Sequence, residues 1–134
     1  MRKRIIILLI AAILLCGCSR IDQETPGRPR LVEKITATYR STAVELVRSY
    51  TDQEKMEAVL IYLRRLAPYG SATEETDPLE PSDGRITLHY SDGTDRVYEL
   101  YAGRYLRIDN GQWQNIKTER GQELPLLLGM MESD

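Results

Sequence analysis

Two dipeptides, Asp92-Gly93 and Asn110-Gly111, constrain this chain more than anything else in it. Each joins a residue that tolerates left-handed backbone to a glycine that enters that region without steric cost. Each also stands between short runs in which apolar and polar residues alternate, the pattern of a β-hairpin. Ile86, Leu88 and Tyr90 alternate with Arg85, Thr87 and His89 before the first turn. After it, residues 96–101 return, and Val97, Tyr98, Leu100 and Tyr101 place apolar groups on both faces, which predicts a central strand. Gly103 turns the chain into residues 104–109, and residues 112–116, with Trp113, follow the second dipeptide. Hairpins join antiparallel neighbours, so the second half is predicted to be an antiparallel meander.

The first half carries both periods. Ile35, Ala37 and Tyr39 alternate with Lys34, Thr36, Thr38 and Arg40, and a second strand is expected over residues 43–50. Thr51-Asp52-Gln53-Glu54 then reads as a capping box, Thr51 hydroxyl and Glu54 carboxylate each satisfying a free backbone donor. Met56, Val59, Leu60 and Leu63 recur at helical spacing, Arg64 and Arg65 suit the negative end of the dipole, and Pro68 and Gly70 stop the run. The spacing predicts a helix over residues 52–66. Residues 118–131, with Leu124, Leu126, Leu127, Leu128 and Met130, predict a second helix, weakened by Gly121 and Pro125. The expected fold is α+β: a largely antiparallel sheet in the order β-β-α-β-β-β-β-α, with two helices packed on one face.

The first eighteen residues have a different logic. Arg2, Lys3 and Arg4 precede eleven consecutive apolar residues, Ile5 to Leu15. A cationic head with a 7–15-residue apolar core is a secretory signal pattern, and about 17 Å of helix is too short for a hydrocarbon layer of roughly 30 Å. Leu15-Cys16-Gly17-Cys18 resembles the lipobox of bacterial lipoproteins: an aliphatic residue at −3, a small one at −1, then cysteine. The resemblance implies that Cys18 receives the lipid and that cleavage falls between Gly17 and Cys18. Cys16 departs from the pattern, where a smaller residue is commoner. The competing reading is an ordinary signal peptide whose two cysteines are inert or joined to each other. On the lipobox reading residues 1–17 are the signal peptide, residues 18–30 (with Pro26, Gly27 and Pro29) a lipidated, flexible linker, and residues 31–134 one small domain. The implied location is the extracytoplasmic face of the cell membrane, held there by acyl chains.

Of the 18 basic residues three leave with the leader, so 15 face 20 acidic ones and the mature net charge is −5. That balance excludes a polybasic membrane clamp and discourages a nucleic-acid partner. No HExxH, Cys-x-x-Cys, Gly-x-Ser-x-Gly or phosphate-loop motif occurs, so no metal, cofactor or nucleotide is expected. The five carboxylates in residues 67–83 lack the ligand alternation of an EF-hand and read as a solvated connection. His89, the one histidine, reads as a surface residue.

Two features suggest contact instead of catalysis. Eight tyrosines, one tryptophan and no phenylalanine give rings with polar tips; Tyr98, Tyr101, Tyr105 and Trp113 in the meander are the candidate binding residues, against a reading in which they pack the core. Lys34, Arg40, Arg48, Arg85, Arg96, Arg104 and Arg107 fall in expected strands, where a shared basic face would attract an anionic polymer. Ser49-Tyr50-Thr51-Asp52, Glu54-Lys55-Met56, Tyr90-Ser91-Asp92-Gly93-Thr94, Tyr105-Leu106-Arg107 and Gly111-Gln112-Trp113 are similar to segments of small uncharacterised lipoproteins of clostridial-type Gram-positive bacteria. That resemblance implies no catalytic residue. The expectation is therefore a non-catalytic module that binds an envelope protein or cell-wall polymer, and the alternative is a small envelope hydrolase using paired carboxylates.

Overall fold

Strand β1 (Val32–Arg40) shows how the alternation is used: Ile35 and Ala37 are wholly buried while Thr38 and Arg40 lie in solvent. The computed structural model describes residues 30–72 and 83–134, and its contacts unite Val32–Asp134 into one unit. The other strands are β2 (Glu45–Tyr50), β3 (Gly70–Ser71), β4 (Gly84–Tyr90), β5 (Asp95–Tyr101), β6 (Tyr105–Ile108) and β7 (Gln114–Asn115). They form one sheet, β2-β1-β4-β5-β6-β7-β3, in which every pairing is antiparallel. Helix α1 (Gln53–Arg65) and the C-terminal helices α2 (Thr118–Gly121) and α3 (Glu123–Met130) supply the buried side chains Val59, Tyr62, Leu124 and Leu128 to the core. The fold is α+β with the expected order of strands and helices.

Register explains which face the helices cover. Ile35 pairs with Tyr50 and Leu88, Ala37 with Ile86, Ile86 with Tyr98, and Leu100 with Leu106. Because side chains alternate across a strand, these residues share one face, and all of them belong to the core or pack against it. Thr36, Thr38, Arg85, Thr87, His89, Glu99 and Arg107 take the other face.

Four local expectations shift. The helix cap is Asp52, whose carboxylate accepts the Lys55 N–H at 3.1 Å; Thr51 is withdrawn from that role because its hydroxyl donates to Asp134. The second hairpin turns one residue early: Asp109 and Asn110, both at positive φ, are its central pair, and the Gly111 N–H bonds Ile108 O at 2.9 Å. Asp and Asn tolerate that region, so glycine is not required in it. The connection after α1 contains β3, which pairs with β7.

The last helix breaks at Gln122. Pro125 has no N–H for the Gly121 carbonyl, so a new helix starts at Glu123 with proline in its first turn. The Tyr62 hydroxyl serves this junction, 3.1 Å from Arg120 O and 3.5 Å from Gly121 O. Burial pushes the Tyr62 phenol well above its ordinary pKa, and Glu123 adds to the effect. Tyr50 donates likewise to Met131 O at 2.6 Å.

Residues 131–134 then run along edge strand β2. The Ser133 hydroxyl accepts the Ser49 N–H at 3.0 Å and Asp134 N–H donates to Ser49 O at 3.2 Å, which covers part of an edge that would otherwise invite another chain. The Asp134 carboxylate receives the N–H groups of Thr51 and Asp52 at the start of α1 and lies 3.2 Å from Lys55 Nζ. The Thr51 N–H first, then the Asp52 N–H, hold it well below the usual carboxylate range.

Candidate binding surface

The β5–β6 hairpin builds the most organised part of the face opposite the helices, which the described helices leave uncovered. Ala102-Gly103-Arg104 form its three-residue loop, with Ala102 and Gly103 at positive φ and the Arg104 N–H bonded to Tyr101 O at 3.0 Å. A turn centred there sets Tyr101 opposite Tyr105 and Glu99 opposite Arg107. The two tyrosine rings stack with centroids 6.4 Å apart and planes 19° apart. Trp113 meets Tyr101 edge-on at 6.3 Å and 60°. Arg107 lies over the indole, 4.7 Å from its centre, and its Nε and terminal nitrogen reach Glu99 Oε1 at 3.2 and 3.0 Å. Glu99 is nearly buried, with its side chain 7% exposed, and Arg85 stands 4.0 Å from its second oxygen.

These contacts make an ordered stack of ring, guanidinium and carboxylate. Arg107 attracts the indole face and the carboxylate together, which fixes three flat groups relative to one another. Trp113 is 6% exposed, and its indole N–H is buried without a hydrogen-bond partner.

The sequence's four binding candidates therefore divide. Tyr101, Tyr105 and Trp113 come together; Tyr98 lies on the helix side between Ile86 and Ile108 and packs against the core. Glu99, which sequence reasoning did not single out, and Arg107, which it read only as part of a basic face, complete the cluster. Their signal was available in the turn, since both are four residues from Gly103.

The expected basic face does not form. Arg48 turns to the helix side and donates to Leu128 O and Met131 O at 3.0 and 3.1 Å, and Arg96 reaches Asp109 at 3.5 Å. Arg40 pairs with Glu45 at 2.9 Å and Arg107 with Glu99, so these cations are split between the faces and Arg40, Arg96 and Arg107 each stand against an acid.

His89 is more engaged than a solvated surface residue. Its Nδ1 lies 3.0 Å from Asp95 Oδ1 and its Nε2 3.1 Å from Thr36 Oγ1. A carboxylate only accepts, so Nδ1 carries the proton shared with Asp95, and Nε2 makes the second hydrogen bond to the Thr36 hydroxyl, which can donate or accept. The order acid–imidazole–hydroxyl is that of a nucleophile relay. However, β1 is paired on both edges, which commits its backbone N–H groups to the ladders and leaves them unsuited to an oxyanion. The trio links β1, β4 and β5. Glu99 and Asp95 do not make a hydrolytic pair either, because four residues of strand separate them by about 13 Å, beyond the spacing of glycosidase carboxylates.

Among the described residues no group of three or more His, Cys, Asp or Glu could hold a metal ion, and no helix is long and apolar enough to cross a membrane. Cys18 and Gly17, the expected lipidation and cleavage positions, lie outside the described residues, as do residues 73–82 of the acidic connection. Comparison with family models, curated proteins and solved structures finds no match for this chain.

Proposed function

We propose that this chain is a lipid-anchored extracytoplasmic lipoprotein whose domain acts by contact, holding a neutral, hydroxyl-rich polymer of the cell wall against the uncovered face of its sheet. The observation that carries the reading is the cluster of Tyr101, Tyr105, Trp113, Arg107 and Glu99 on the sheet face opposite the described helices. Sugar rings present an apolar face and a hydroxyl edge, which suits half-exposed tyrosines beside planar charged groups. The neighbouring Thr36, Thr38 and Thr87 add hydroxyls on the same face. Because its charges come largely in pairs, the face favours a neutral chain over a polyanion attracted by a summed field. The sequence supports the anchor: charged head, apolar run and Leu15-Cys16-Gly17-Cys18 coincide within eighteen residues. Confinement to the membrane surface raises the local concentration of the polymer, so a weak contact suffices.

Two measurements test the two parts. Intact mass of the membrane-extracted protein should show acyl chains on Cys18, and Cys18→Ser should release the chain from the membrane fraction; an unmodified wild type overturns the anchor. The full chain should be retained on purified, uncharged cell-wall glycan equally at low and high salt, and Tyr101→Ala should abolish retention. Retention that vanishes with salt, or survives Tyr101→Ala, overturns the contact surface.

A further inference from the structure

On the far side of the same hairpin, where its tip meets the helices, lies a cavity of about 130 Å³. Tyr39, Asp83, Leu100, Gln122 and Leu124 line it together with the backbones of Gly84, Ala102, Gly103 and Gly121. Its walls are built by close backbone approach. A Cβ on Gly121 would overlap the Gly103 backbone, and one on Gly84 would stand 2.7 Å from Leu124 Cδ2. Only glycine lets helix and hairpin meet here while the space between them stays open.

The chemistry of the lining is one-sided. Leu100 and Leu124 are apolar and nearly or wholly buried. Asp83 Oδ2 accepts the Ala102 N–H at 2.6 Å and so fixes the carboxylate at the rim, and among the described residues Oδ1 has no partner. Nor, among the described residues, do the Tyr39 hydroxyl and the Gln122 side-chain amide bond to other protein groups. Among the described residues no basic side chain lines the cavity. An anchored carboxylate with an open oxygen, two more polar groups and an apolar floor match a ligand with a cationic donor at one end and a short hydrocarbon body.

We propose that this cavity binds a compact primary alkylammonium group, with Asp83 accepting from the ammonium and Leu100 and Leu124 packing its carbon stem. The volume suits a body of about four to six carbons, since a protein cavity of roughly 150 Å³ accommodates benzene. The inference does not rest on the anchor or on the glycan surface, which uses the opposite face.

The test titrates the full chain in detergent micelles with n-butylammonium, following the backbone amide resonances of Ala102, Gly103 and Gln122. Saturable shifts are expected below about 50 mM, the range open to a ligand of so few atoms. n-Butanol should bind about tenfold more weakly, and butyrate should not bind, because the charged hydrogen bond to Asp83 is lost or reversed. Asp83→Asn should weaken n-butylammonium about tenfold. Tyr39→Phe, which keeps the ring and leaves the Asp83–Ala102 bond in place, should weaken it a few-fold with other resonances unmoved. Absence of saturation, equal binding of butanol, or binding unchanged in both variants overturns the site. Tyr101→Ala should leave this binding intact, so failure of the glycan reading and failure of this one are separable.

Discussion

On the helix side of the sheet Ile35, Ile86, Leu100 and Leu106 stack against Leu124 and Leu128, all 3% exposed or less; on the other side the same strands carry Thr36, Thr87, His89, Glu99 and Arg107. The first face is held by removal of apolar surface from water, worth roughly 1.5–3 kcal/mol for each large side chain. The second is held by directed pairs: Thr36–His89–Asp95 at one end, Glu99–Arg107–Trp113 at the other. One backbone therefore serves two purposes. Apolar contacts are interchangeable and set stability, whereas directed pairs fix where flat and charged groups stand, which is what a contact surface needs.

The sharpest way to break that contrast is a substitution at adjacent residues of one strand. Ile86→Ala, at a fully buried position between Ala37 and Tyr98, should cost about 3 kcal/mol of unfolding free energy in urea. Thr87→Ala, one residue on and facing outward, should stay within about 0.5 kcal/mol. Equal losses would mean that the uncovered face is as much a core as the covered one.

Arg107→Ala comes next, at about 2 kcal/mol, because it removes the guanidinium 3.0 Å from a Glu99 side chain that is only 7% exposed, while Arg85 stands farther off at 4.0 Å. In a Glu99→Gln background the same substitution should cost under about 1 kcal/mol, since no charge is then stranded. A cycle with no coupling would assign the cost to lost packing on Trp113.

The two faces were unequally legible in the sequence, and for a physical reason. Periodicity reports burial, so the alternation at Ile35, Ala37, Ile86 and Leu88 and the helical spacing of Met56, Val59 and Leu63 located the covered face and α1. The uncovered face depends on which residues lie opposite one another, and that follows from the exact turn. The turn at Ala102-Gly103 was marked by glycine, but the pairing of Glu99 with Arg107 was not drawn from it. The turn lies at Asp109-Asn110, one residue before the Asn110-Gly111 signal, because Asp and Asn both tolerate positive φ. Tyr98 was grouped with Tyr101 although an odd spacing puts them on opposite faces. What long-range contacts decide, such as Asp134 drawing Thr51 out of its cap, carries no local mark at all.

That contact gives a prediction in pH. The folded-state pKa of Asp134 lies below its unfolded value, so its contribution is complete above about pH 4, the ordinary carboxylate value, and is lost as pH falls through the lower folded value. Asp134→Asn should therefore lower the urea midpoint at neutral pH, and the gap to wild type should narrow on acidification below about pH 4. A gap independent of pH would show that the amide and the carboxylate serve α1 equally.

The smallest effect tests whether pairing or burial gives the uncovered face its energetics. Arg40 and Glu45 form an ion pair at 2.9 Å, about as close as Arg107 and Glu99, but their side chains are 71% and 58% exposed. Water already solvates both charges, and holding two long side chains in one geometry costs entropy, so Arg40→Ala should change stability by less than about 0.5 kcal/mol. Two bonds of nearly equal length would then differ about fourfold in consequence, with desolvation of Glu99 as the cause. If Arg40→Ala instead matched Arg107→Ala, charge pairing alone would order this face, and the distinction between a solvated rim and a fixed centre around Trp113 would fail.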